Sequence, residues 1–498
     1  MWDLGRDTDR GRAAVAVLLR RDPAVAVGML FRSGPEAWIA FDEEVRHDCS
    51  RPGGAPRSKR IEARLCDPDG RVRESALSAW RRPPPQLVVI RCADWVPAVR
   101  SRARRVLGRI VAENPVAALI TLAPLILRLG RREHGAWALE QLEAAVSGRY
   151  SLLAAWWRPG RPSTTWSPNS LTGEQRDAVL NHLSLGADLP ARRFAARLTA
   201  AGGRTGVREL AARAREERDQ VTSRIWADAA LAAMAAGGPD DAAIDDLLAG
   251  RLPMVRAGGV TALRAAGRAA EAVEHLADRS GTVRACARWL VRQGGDDPYA
   301  VSRALVEDPA RVTPYAVTGF AECAGPADAP LLHALLEHPA GAVRAAAVGG
   351  LRLLEAADHE LLRPLLDDPM PAVAREVSLG LRPGAGRLPA AWLLARTAPE
   401  RPVHTRRAAY RLLYAQGGVA WLRAAVELQA DGDPGLRRLA AQHIQGLWPA
   451  KGPMCLPARD PEVGALLDRC TGLATDHARR WMRSQLGIPR VECGMSGY

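Results

Sequence analysis

Aromatic residues are scarce in this chain: Trp, Tyr and Phe make up only 5% of its 498 residues. Hydrophobic residues still reach 47%, so the core has to be built from Ala, Leu and Val. Lysine is almost missing. Of 69 basic residues only Lys59 and Lys451 are lysines, the rest being arginine. Neither stands in a Gly-Lys-Ser/Thr context, which excludes a phosphate-binding P-loop. No His-Glu-x-x-His pair and no Gly-x-Ser-x-Gly elbow occurs, which excludes the corresponding zinc and nucleophile sites. Gly384-Ala385-Gly386 lacks the third glycine and the preceding strand of a dinucleotide fingerprint. The eight cysteines never fall as Cys-x-x-Cys, so their spacing gives no zinc site. Thiols scattered in this way fit a reducing cytoplasm. The longest apolar run, Pro115 to Leu127, is too short to cross a bilayer and contains Pro124; it predicts a buried helix. The acidic start (Asp3, Asp7, Asp9) and Arg20-Arg21 directly after Ala13 to Leu19 argue against a targeting signal. Strand-forming runs are few, and the best of them, Leu87-Val88-Val89-Ile90, is expected to be a short helix.

What the chain does have is a period. From Ala327 to Gly380 an apolar helix, a Pro-bearing turn and a second helix opened by a Val occur twice. Aligned on that Val, the series runs Val255, Val283, Val312, Val343, Val373, Val403 and Leu436, with steps of 28, 29, 31, 30, 30 and 33. A period near thirty marks stacked helical repeats, none of which can bury its apolar face alone. Asp308-Pro309, Asp368-Pro369 and Asp433-Pro434 place a carboxylate and a proline where a helix start would use them. Val343, Ala347, Leu351 and Leu354 share one helical face. Ala346, Ala347 and Gly350 are small enough for close helix approach. The pair Val-Arg recurs at Val255-Arg256, Val283-Arg284 and Val343-Arg344. The Val is expected in the core and the Arg at the rim, within reach of a turn Asp.

These residues resemble HEAT-like repeats of the short bacterial kind first associated with phycobilisome lyases. The match is close over residues 251–447 and looser at Asp67 to Trp80 and Asp94 to Val111. The resemblance implies an all-α fold, an α-α superhelix of the HEAT/armadillo-like solenoid type with helix-pair repeats of about thirty residues. It is nearly silent on activity, since such repeats occur in scaffolds, lyase subunits and a class of alkylpurine DNA glycosylases. The organisation expected is a basic helical segment over 1–155 with a loop at 46–60, a linker at 156–176, and a repeat array over 177–450. A cap and tail follow over 451–498. Thr172-Gly173-Glu174-Gln175 is expected to open the first helix after the linker. Trp156 and Trp157, beside Arg158 and Arg161, are expected to pack over the adjoining helix.

Charge is the main functional clue. The chain carries a net +14, and residues 51 to 132 hold 18 basic and 6 acidic residues, hence nearly the whole excess. The candidate anion-binding residues are Arg57, Lys59, Arg60, Arg100, Arg102, Arg104, Arg105 and Arg109. Of these, Arg102, Arg105 and Arg109 fall on one helical face, while the loop bearing Arg57, Lys59 and Arg60 would serve as a flexible arm. The leading expectation is a non-enzymatic, cytoplasmic interaction scaffold that holds a protein partner on the solenoid surface, with no cofactor and no metal. The alternative is a nucleic-acid-binding repeat protein using the basic segment. Glycosylase-like activity is its minor branch, and Trp80, Asp94 and Trp95 would supply the residue types.

Overall fold

The computed structural model describes residues 8–14, 28–50, 60–79, 82–147, 171–446, 456–470 and 475–489. Among them there are helices and turns and no strand. The chain divides into two compact units, Met1–Gly259 and Val260–Tyr498. The helices of the first are α1 (Pro35–Ser50), α2 (Ile61–Leu65), α3 (Gly70–Ala79), α4 (Pro85–Cys92), α5 (Pro97–Glu113), α6 (Pro115–Leu129) and α7 (Ala136–Ser147). They continue with α8 (Gly173–Leu185), α9 (Leu189–Gly202), α10 (Val207–Glu216), α11 (Gln220–Gly237) and α12 (Asp241–Leu248). Helix α13 (Pro253–Ala262) follows. The second unit contains α14 (Gly281–Gln293), α15 (Pro298–Glu307), α16 (Pro314–Ala321), α17 (Ala329–Ala334), α18 (Gly341–Leu353), α19 (His359–Leu362) and α20 (Pro371–Leu381). It ends with α21 (Ala390–Thr397), α22 (Val403–Gln416), α23 (Gly418–Glu427), α24 (Pro434–Gln445), α25 (Pro461–Arg469) and α26 (Asp476–Gln485).

Local chemistry accounts for many of these boundaries. Leu87 to Ile90 lie in α4, a short helix whose β-branched residues are all buried. Pro115 opens α6 behind an N-cap from Asn114, and Pro124 sits inside this largely buried helix. Thr172 and Gln175 form the reciprocal capping box that starts α8. Asp433 caps α24 with Pro434 in its first turn. Asp308 and Asp368 act differently from expectation. Each accepts a hydrogen bond from the backbone two residues on, Ala310 at 2.9 Å and Met370 at 2.8 Å, and so folds the turn ahead of the helix. Helix α1 runs to Ser50, into the first part of the loop expected at 46–60. Residues 51–59 and most of the expected linker, with its Trp156 and Trp157, lie outside the described residues.

In the second unit successive second helices pack side by side: α16 on α18, α18 on α20, and α20 on α22. Gly350 permits this closeness, because a Cβ there would stand 3.1 Å from Ala321 Cβ and 2.9 Å from a methyl of Leu332. Val255, Val283, Val343, Val373 and Leu436 are all core residues. Burying each such side chain contributes roughly 1.5–3 kcal/mol. Two positions of the expected series are corrected. Val312 precedes α16, and the core position is Ala316; Val403 is exposed at the start of α22, and the core position is Thr405. The extra residues in those two turns displaced the alignment.

The arginine after the core residue is not at the rim either. Arg73, Arg256, Arg284 and Arg406 are buried. One end of the guanidinium ties down the preceding turn: Nη1 of Arg344 donates to the carbonyls of His338 (2.8 Å) and Pro339 (3.1 Å). The other end reaches a carboxylate one turn further along the array, as Arg344 does with Asp368 through two bonds of 2.8 Å. Arg73 repeats both contacts with Asp67, Pro68 and Asp94. Arg284 ties Asp278 and Glu322, and Arg406 pairs with Asp431. An arginine fork suits this work because its five donors can serve a carbonyl and a carboxylate at once.

Candidate functional site

The turn that carries Asp94 and Trp95 is built like the others, but three more side chains converge on it. Asp94 accepts both Nε and Nη2 of Arg73, at 2.9 and 2.8 Å, and Nη1 of Arg91 at 3.1 Å. It also folds its own turn by accepting from the Val96 N–H at 3.0 Å. Asp42, on α1, pairs with Arg91 and with Arg46. Arg91, Arg73 and both aspartates are buried. Trp95 lies 58% exposed, with the guanidinium groups of Arg46 and Arg73 at 4.6 and 4.4 Å from its ring centroid. Beside it is a cavity of about 110 Å³ lined by Asp42, Glu43, Arg46, Arg91, Asp94 and Arg132. That is room for a few water molecules at about 30 Å³ each.

Charge is nearly balanced in this network. Burial pushes the Asp42 carboxyl above its ordinary value, against the charge of Arg46. Burial likewise pushes the neighbouring helix's Cys92 thiol up to about 12, which keeps it protonated and unreactive at neutral pH. Asp94 accepts four hydrogen bonds, as many as a carboxylate holds comfortably. It therefore has no oxygen left to stabilise a cation on a substrate, as a glycosylase would require, and works as the keystone of the turn. Trp80, the third residue type in that comparison, lies outside the described residues.

The structure divides the sequence candidates into three groups. Arg57 and Lys59 lie outside the described residues, and Arg60 is exposed at the start of α2. Arg100 is turned to structural use: its Nη1 donates to the Asp94 carbonyl at 2.6 Å. Arg104 is similarly engaged, over the Trp137 ring at 4.8 Å and donating to the His134 carbonyl at 3.4 Å. Arg102, Arg105 and Arg109 remain. They follow one face of α5, Arg105 and Arg109 exposed and Arg102 half-buried. None of the three has an ion-pair partner among the described residues. The sequence reading missed Asp42, Arg46, Arg91 and Arg132. Arg91 stood one helical turn before Asp94 and was open to notice; Asp42, on another helix, was not.

Among the described residues no three His, Cys, Asp or Glu side chains cluster as a metal site would need, and no helix is long and apolar enough to cross a membrane. No protein-family model matches the chain, and no curated protein matches it.

Proposed function

We propose that the chain is a HEAT-like solenoid that serves as a non-enzymatic interaction scaffold, with a protein partner held along its second helices. One observation carries this. Tyr315, Met370 and Val403 are 48%, 39% and 37% exposed, and all lie in or just before the first turns of α16, α20 and α22. Single exposed apolar residues are ordinary. Here they recur at the N-terminal ends of helices that pack in series, and Met370 closes over Gly341 of the helix between: a Cβ on Gly341 would stand 2.6 Å from that of Met370. The test is a photo-crosslinking residue in place of exposed Ala372 in the native cell. A discrete protein adduct is expected, lost when Tyr315, Met370 and Val403 are changed to Ser. Absence of any adduct, or an adduct indifferent to those changes, overturns the reading.

A second reading is favoured by the row Arg102, Arg105 and Arg109, which have no ion-pair partner among the described residues. Such a row suits a polyanion such as duplex nucleic acid. Each phosphate contact releases counterions, so affinity would fall with salt at a log–log slope of about −0.9 per contact. Replacing the three by Gln should flatten the slope by up to roughly three units. Anisotropy of a labelled duplex decides it: no binding at low salt removes this reading and leaves the first untouched.

A further inference from the structure

The register of the second helices places four arginines together in the second unit. Arg375, Arg407 and Arg438 each stand two residues after a fully buried core residue, namely Val373, Thr405 and Leu436. They therefore occupy the same position on α20, α22 and α24. Helices α20 and α22 are in contact, and His404 donates from Nε2 to the Asp368 carbonyl at 3.0 Å. Arg406 of α22 pairs with Asp431 in the turn ahead of α24, and His443 of α24 stacks on Tyr414 of α22 at 3.7 Å. Arg411 lies one turn beyond Arg407, so Val403, Arg407 and Arg411 share a face of α22.

Answering charge is sparse. Among the described residues the carboxylates touching these arginines are Glu376, 3.1 Å from Arg375, and Asp433, 3.4 Å from Arg407. Glu376 is shared with Arg352, and Asp433 also caps α24. Arg411 and Arg438 are exposed and have no ion-pair partner among the described residues. Partial desolvation of its guanidinium, then the charges of Arg407 and Arg375, lower the pKa of Arg411.

We infer that this row is the docking surface for an extended acidic peptide segment of a protein partner. The surface is continuous with Val403 at the apolar edge, so the inference rests on the scaffold reading and specifies the partner's chemistry. Spacing supports a peptide. Packed helices stand about 8–10 Å apart, and an extended chain advances about 3.3 Å per residue. A carboxylate at every third residue thus matches the step from Arg375 on α20 to Arg407 on α22, while the intervening side chains can lie against the apolar edge.

The experiment is anisotropy of a labelled peptide with Glu at every third position, its Gln counterpart, and a labelled DNA duplex, each added to the full chain. The Glu peptide should bind at low salt, the Gln peptide should not, and salt should weaken binding. Changing Arg407, Arg411 and Arg438 to Gln should reduce affinity about tenfold, with the helical circular dichroism unchanged. Should that variant fail to fold, Arg438→Gln alone, at an exposed side chain without a partner, should still lose about twofold to fivefold. No binding of the Glu peptide, or unaltered binding by the variants, overturns the inference. A duplex that binds in preference to the peptide, and loses its affinity in the variants, also overturns it. These outcomes leave the crosslinking test at Ala372 independent, so the scaffold reading and the acidic-peptide inference can fail separately.

Discussion

The Asp94 turn in the first unit and the Asp368 turn in the second follow the same local rule and end in different states. In each an arginine from an earlier helix, Arg73 or Arg344, ties its own turn and grips the aspartate through two hydrogen bonds. At Asp94 the pair is joined by Arg91, Arg46 and Asp42, and the side chains of Arg73 and Asp94 are both 0% exposed. At Asp368 the clamp stands nearly alone, with 14% of the Arg344 side chain in water. The difference comes from what the neighbouring helix presents. Helix α1 brings two charged residues over Asp94; α22 brings only His404, which donates to the Asp368 carbonyl. There the clamp has no local arginine to satisfy the turn, because Ala374 occupies that place, and a histidine from the next helix supplies the donor instead.

The sharpest test of the comparison is to remove each arginine. Arg73→Ala strands Asp94 in a buried site and should cost about 3–5 kcal/mol in urea unfolding. Arg344→Ala leaves a carboxylate closer to water, and a loss of about 1.5–3 kcal/mol is expected. Equal losses would show that the extra residues around Asp94 add nothing to the clamp.

Acid should act in opposite senses on Asp368 and on Asp42, the α1 residue that packs over the Asp94 turn. At Asp368 burial favours the neutral acid, but the hydrogen bonds from Arg344 and Met370, with the charge of Arg344, outweigh it and hold the pKa below the ordinary value. At Glu322 the paired Arg284 and Arg288 outweigh burial in the same way. A depressed folded-state pKa contributes stability present above the unfolded value and lost as pH falls through the folded one. Asp42 is raised, so its contribution is present below the unfolded value and lost as pH rises through the folded one. As pH falls below the ordinary carboxylate value, hydrogen exchange should therefore show the Asp368 turn loosening before the Asp42 contact. The reverse order would remove the distinction between the two sites.

His404→Ala should cost less, about 0.5–1.5 kcal/mol, since it deletes one hydrogen bond to a turn carbonyl. A thermal melt unchanged within error would show that water replaces the imidazole at no loss. The smallest effect is expected at Arg105 and Arg109. Changing either to Gln should move stability by no more than about 0.5 kcal/mol, because both side chains are exposed and neither has an ion-pair partner among the described residues. A larger loss would place them with Arg100 and Arg104, as structural residues.

By itself the sequence determined the helices, because periodicity, capping and proline placement act within a dozen residues. The burial of Val343 and Val373, the helix start at Thr172 and the short helix at Leu87 to Ile90 were legible for that reason. It also marked α5 as basic and showed that Arg102, Arg105 and Arg109 share a face. Only the tertiary structure decided what each arginine does. Arg100 and Arg102 are two residues apart in one basic run, yet one is bound to a turn carbonyl and the other has no ion-pair partner among the described residues. The choice depends on which carbonyls and carboxylates fall within about 3 Å of the fork, and helix packing sets those distances. The same holds for the register of Ala316 and Thr405, which the turns before them shifted, and for Asp42, which reaches Arg91 only because α1 lies against α4. Local patterns fix where a helix starts and which stripe is apolar; charges paired across helices are assigned only when the helices meet.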